Sequence, residues 1–154
     1  MAALIEGSKA PAFKLPADSG ETVSLKDYAG KKLVLYFYPK DDTSGCTAQA
    51  CAFNDALPAF KKLKTAVLGV SKDPIAKHIK FRDKYDLTFP LLSDEDSTVL
   101  EKYGVWIEKS MYGRKYMGIE RSTFIIDEAG KTTHVWRKVK VPGHVDEVMK
   151  ALKE

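Results

Sequence analysis

Two short and almost wholly apolar runs constrain this chain most: "KLVLYFYP" (Lys32–Pro39) and "TAVLGVS" (Thr65–Ser71). Neither alternates polar with apolar residues, so each reads as a strand buried on both faces. Between them Phe53, Leu57, Phe60 and Leu63 recur at helical spacing. That predicts a helix from about Ser44 to Lys64, with Pro58 kinking it.

The rest of the chain extends the same alternation. "PIAKHIKFRDKYD" (Pro74–Asp86) is expected to be a second helix that opens with proline in its first turn. "FPLLSD" (Phe89–Asp94) is a short extended segment and Ser97–Tyr103 a short helix. "RSTFIID" and "KTTHVWRK" alternate around "EAG" (Glu128–Gly130), which predicts an antiparallel hairpin, and a helix over Val145–Lys153 closes the chain. This order, with its hairpin late, predicts an α/β fold: a mixed central sheet flanked by helices. The 154 residues carry no repeat, low-complexity segment or linker-like stretch, so one domain spanning residues 1–154 is expected.

Composition excludes several classes. Apolar residues make up 44% and charged residues 30%, a globular mix rather than a disordered or fibrous one. The net charge of +4 is spread along the chain without a block of like charges, which argues against nucleic acid and anionic membrane as partners. "MAALIEGSKAPAF" has no basic leader followed by a long apolar run, and Leu33–Tyr38 is too short to span a bilayer. The expectation is a cytoplasmic protein whose thiols are normally reduced.

Against that background the two cysteines stand out, because both lie in "PKDDTSGCTAQAC", as Cys46 and Cys51. In a reducing compartment a nearby pair is more often catalytic or metal-binding than a permanent staple. Cys46 falls in the first turn of the predicted helix, just past a strand. There, free N–H groups and the positive end of the helix dipole favour a thiolate. Thr43 and Ser44 hydroxyls, with the N–H groups around Gly45 and Cys46, are the local donors for a transition state. Residues five apart on an intact helix have Cα atoms roughly 8.5 Å apart, whereas a disulfide requires at most about 7 Å. If the pair reacts, the first turns must unwind; Gly45, Thr47, Ala48, Ala50 and Ala52 would ease that. The alternative for Cys51 is a plain small core residue. A zinc site would need two further ligands, and His78, His134 and His144 are scattered without ligand spacing, which leaves them core or surface roles.

The segment "YFYPKDDTSGCTAQAC" resembles the active-site stretch of the peroxiredoxins, in the branch called peroxiredoxin Q or bacterioferritin comigratory protein. Pro39, Thr43 and Cys46 carry the motif. Arg121 in "GIERSTFIID" resembles the strand that sets a guanidinium over the reactive sulfur, and "FPLLSD" and "KSMYGRKYMGIERS" are also similar to this branch. The resemblance runs from about Gly7 to Lys150. It implies a thioredoxin-like fold and a peroxidase with no metal or organic cofactor. It further implies that Cys46 is oxidised by peroxide to a sulfenic acid and Cys51 resolves it as an intramolecular disulfide. Thioredoxin or a similar dithiol protein would then reduce that bond. Arg121, a permanent forked cation, would hold thiolate and peroxide; Thr43 would bond thiolate or substrate; Pro39 would shield the sulfur from water. On the same resemblance Tyr38 and Trp106 would line the entrance, but core packing is the expected role of each. A monomer is usual in the branch; Tyr112 and Tyr116 would be the aromatic cover of a dimer contact if one formed.

Two positions depart from the pattern: many relatives have proline where this chain has Ser44, and arginine where it has Asn54. Two rival functions share the fold. A general thiol–disulfide oxidoreductase normally relies on Cys-x-x-Cys, and here four residues separate the cysteines. A redox-sensing binding module would oxidise at Cys46 without turning over.

Overall fold

A computed structural model describes residues 6–154. Among these residues the main sheet has five strands in the order β5-β4-β3-β8-β9. These are β3 (Lys32–Phe37), β4 (Thr65–Ser71), β5 (Leu91–Ser93), β8 (Ser122–Ile126) and β9 (Thr132–Trp136). β3, β4 and β5 run parallel, while β8 pairs antiparallel with both β3 and β9. The sheet is therefore mixed, and the late hairpin is present as expected.

The central apolar run is explained by what covers its two faces. Successive side chains of a strand point to opposite sides. Leu33, Leu35 and Phe37 enter one core with Phe13, Leu15, Tyr103, Phe124 and α3 (Thr98–Lys102). Val34, Tyr36 and Tyr38 enter the other, beneath α1 (Ser44–Lys62), α2 (Ile75–Tyr85) and α4 (His144–Lys153). With helices on one face and a second apolar layer on the other, no position in the run is free to be polar. Pro58 lies inside α1 on its exposed side and the helix continues through it.

Two pairs of strands were not anticipated from the sequence. β1 (Lys14–Pro16) and β2 (Thr22–Ser24) form a small antiparallel pair followed by a 3₁₀ turn at Leu25–Tyr28. β6 (Trp106–Met111) and β7 (Arg114–Ile119) form a separate two-stranded ribbon. Its tip is a two-residue turn in which Tyr112 (φ 51°) and Gly113 (φ 76°) are both left-handed. That is the turn geometry matching strand twist, but it normally recruits Asn-Gly rather than Tyr-Gly. Tyr112 is 97% exposed, with Met111, Tyr116 and Met117 also exposed.

Phe53 is the hub of the helix-side core. Its ring stacks on Tyr36 at 4.6 Å between centroids and meets Phe60 at 6.0 Å and His144 at 6.3 Å. Phe53→Ala is expected to destabilise the fold by at least about 3 kcal/mol, since neighbours on three elements cannot all collapse into the void. Urea unfolding with an unchanged m-value is the check; a loss under about 1 kcal/mol would mean the core repacks.

Candidate active site

The site forms where β3 ends and α1 begins. The chain leaves the sheet at Phe37, passes Tyr38–Asp42, and enters the helix through Thr43, whose extended backbone (φ −82°, ψ 157°) places it at the N-cap. Cys46 therefore lies in the first turn, and it is 1% exposed. The register of β8 on β3 pairs Phe37 with Ser122, which sets Arg121 beside the same strand end. A backbone bond from Val139 N–H to the Arg121 carbonyl (3.0 Å) fixes it from the other side.

Arg121 then divides its two arms. Nη2 donates to Cys46 Sγ at 3.3 Å, and Nη1 donates to Gln49 Oε1 at 2.5 Å. Gln49 is fully buried, one helical turn beyond Cys46. It orients the guanidinium so that one fork tip stays on the sulfur. Gly45 is small for a reason: a Cβ there would lie 3.2 Å from Arg121 Nη2. Tyr36 forms the floor, with its hydroxyl buried and unpartnered, as is Gln49 Nε2. Burial, then the nearby Cys46 and Asp41, push the Tyr36 hydroxyl well above its usual range, so it stays a neutral donor. Midway along the ribbon, burial and then the Arg121 charge hold Lys109 below its ordinary value, against the pull of Glu120 and Cys46.

The other expected residues are arranged differently. Cys51 is on the same unbroken helix, half-buried and not brought to Cys46. Burial and then the Asp55 carboxylate push its thiol up. The Thr43 hydroxyl donates to the Lys40 carbonyl at 3.1 Å, so it braces the loop and makes no bond to the sulfur. Pro39 is half-buried, two residues past the end of β3. Ser44 is exposed. Tyr38 is a core residue whose hydroxyl donates to Asp41 Oδ1 at 2.6 Å; Trp106 is half-buried, with Lys72 Nζ 5.9 Å over its ring.

Asn54 has a mechanical place. Its Oδ1 accepts from Thr88 N–H (2.9 Å) and Thr88 Oγ1 (2.8 Å), and its Nδ2 donates to the Asp86 carbonyl (3.0 Å). It ties α1 to the turn after α2. His78 and His144 are buried and His134 half-buried. His144 Nε2 lies 2.8 Å from Thr123 Oγ1, and burial lowers its pKa. Sequence reasoning missed Gln49 because a glutamine mid-helix reads as solvent face. Its separation of three from Cys46 was the available signal, since residues three apart share a face.

Residues 7–135 match the AhpC/TSA family. Peroxiredoxin Bcp of Bacillus subtilis is 51% identical over 148 residues, 96% of this chain and 94% of that protein. A peroxiredoxin Q variant from Xylella fastidiosa superposes with a TM-score of 0.94 at 39% identity, over 99% of this chain and 98% of that one. The bacterioferritin comigratory protein of Xanthomonas campestris, described for its alkyl peroxide reduction activity, gives 0.88 at 45% identity, over 92% and 90%. With its thioredoxin-like sheet, its cysteine at the start of α1 and the arginine upon it, the chain belongs to the AhpC/TSA family, among the peroxidases of the peroxiredoxin Q/Bcp branch.

Proposed function

We propose that this chain reduces hydrogen peroxide and organic hydroperoxides with Cys46 as the attacking thiolate and Cys51 as the resolving thiol, and that thioredoxin or a similar dithiol protein recycles it. The observation that carries the reading is the 3.3 Å bond from Arg121 Nη2 to Cys46 Sγ. It supplies a fixed cation to a sulfur already at a helix N-terminus. The alkyl peroxide activity described for the Xanthomonas relative supports the substrate class.

In the first step the thiolate takes the outer oxygen of the peroxide. An S–O bond forms as the O–O bond breaks, and the departing alkoxide or hydroxide takes a proton and leaves as alcohol or water. Arg121 steadies the negative charge as it moves from sulfur to the leaving oxygen. Pro39 shields the sulfur, and Thr43 holds the loop through the Lys40 carbonyl. In the second step the Cys51 sulfur attacks the sulfenic sulfur and expels water. On an intact helix the cysteines are about 7.5 Å apart along the axis and turned by about 140°, so the first turns of α1 unwind. A Cys51 thiol pushed up by burial and Asp55 stays protonated until then, which keeps it from reacting with peroxide itself. The reading includes a monomer in the cytoplasm, needing no metal or organic cofactor and no nucleic acid or membrane.

Intact-mass and free-thiol analysis after one equivalent of hydrogen peroxide tests it. Wild type is expected to become two hydrogens lighter with both thiols lost, and Cys51→Ser to become one oxygen heavier. If Cys51→Ser and wild type both lose a single thiol, an outside thiol resolves Cys46. If wild type stays unreacted for minutes, the peroxidase mechanism on these residues is wrong.

A further inference from the structure

Beneath the loop that leads into Cys46 lies a buried polar cluster with no part in the steps above. Asp41, in that loop, accepts the Tyr38 hydroxyl on Oδ1 (2.6 Å) and faces His78 Nδ1 with Oδ2 (2.6 Å). Its own N–H donates to Asp73 Oδ2 at 2.8 Å. His78, on α2, is fully buried, and its other ring nitrogen, Nε2, faces the Leu92 carbonyl of β5 at 2.9 Å. A carboxylate and a carbonyl are both acceptors. Both ring nitrogens must therefore carry hydrogen, and the side chain is an imidazolium. The ionisable groups around it are Asp41 from the active-site loop, Asp73 from the turn after β4, and Tyr38 from the end of β3. Asp73 is also occupied by the Ser71 hydroxyl at 2.8 Å.

We propose that His78 is a positioning residue for peroxide reduction: it fixes the Asp41 carboxylate, and Asp41 fixes the loop from which the Cys46 helix turn starts. The path is short and made of hydrogen bonds. Next to Asp41, the Lys40 carbonyl takes the Thr43 hydroxyl, and the Thr43 carbonyl takes the Thr47 N–H at 2.8 Å, closing the turn that holds Cys46. His78 bonds both the loop and β5 from α2, three elements separate in the sequence, beside the bonds that Lys84 Nζ (2.8 Å) and the Tyr85 hydroxyl (2.7 Å) of α2 donate to Asp42 of the same loop. Burial alone would lower the His78 pKa, but the Asp41 bond and charge, the Leu92 carbonyl and Asp73 outweigh it and hold it above its ordinary value. The sign follows: the bridge is complete below the ordinary histidine range and is lost as pH rises through the raised folded-state value. One ring nitrogen then turns a lone pair on an acceptor.

The proposal rests on Cys46 as the attacking thiolate. The test compares, in wild type, His78→Leu and Asp41→Asn, the rate constant of Cys46 with hydrogen peroxide and that with iodoacetamide. Alkylation needs the thiolate but not its alignment with Arg121, so the ratio of the two rates cancels ionisation of the sulfur. Both variants are expected to lose roughly tenfold in peroxide rate, the scale of a small misalignment, and less than about twofold in alkylation. In wild type the ratio falls as pH rises through the raised His78 value; in His78→Leu it is flat. A wild-type ratio that stays flat, with both variants near it, overturns the proposal. If His78→Leu does not fold, Asp41→Asn and the wild-type pH profile carry the decision. Cys46→Ser is the control: should it still react with peroxide, the Cys46 assignment fails, and not the bridge.

Discussion

Cys46→Ser is expected to fold like the parent and to consume no peroxide. The substitution removes only polarisable sulfur from a site that is 1% exposed, and a serine oxygen still accepts the Arg121 Nη2 bond. A hydroxyl in this place is not ionised near neutrality, and a neutral alcohol is a poor nucleophile towards a peroxide oxygen. Loss of turnover with an unchanged melting curve locates the chemistry at this sulfur. Peroxide consumption by Cys46→Ser at a rate near that of wild type would move the attacking role to Cys51.

Arg121→Gln is expected to slow sulfenic acid formation by about 10²–10³-fold, the range seen when one preorganised donor to a developing negative charge is removed. The guanidinium bonds Cys46 with one arm and is held by buried Gln49 with the other, so its direction is set before peroxide arrives. A glutamine is neutral and too short to make both bonds. Arg121→Lys restores the charge but not the fork, and is expected to recover only part of the rate. Stopped-flow kinetics at several peroxide concentrations measures this. A loss below about tenfold would assign most of the stabilisation to the N–H groups around Gly45 and Cys46.

How legible this was depends on what each residue reports. β3 and β4 were readable because burial on both faces leaves an uninterrupted apolar signature. The helices were readable from spacing, and their ends moved by only a few residues because caps are weakly written here: Thr43 caps α1 without a side-chain bond. The β6–β7 ribbon was hidden. Its strands mix exposed charge with exposed Met and Tyr, and its turn places Tyr112 where asparagine would have advertised it. Cys46 and Arg121 could be named from their motif. The His78–Asp41 bridge spans a separation of 37 in sequence, and no local pattern encodes a contact of that range.

Asn54 has a consequence for timing. Its bonds to Asp86 and Thr88, next to buried Phe53, pin α1 beyond Cys51, so on the proposed cycle only the stretch from Ser44 to Ala52 has to open and close. A helical segment of that size re-forms in about 0.1–1 μs. A protein reductant at micromolar level, binding at about 10⁵–10⁷ M⁻¹s⁻¹, arrives only about 0.1–10 times per second. The helix is therefore reset long before the next partner arrives, and throughput rises in step with reductant supply rather than with the speed of the fold.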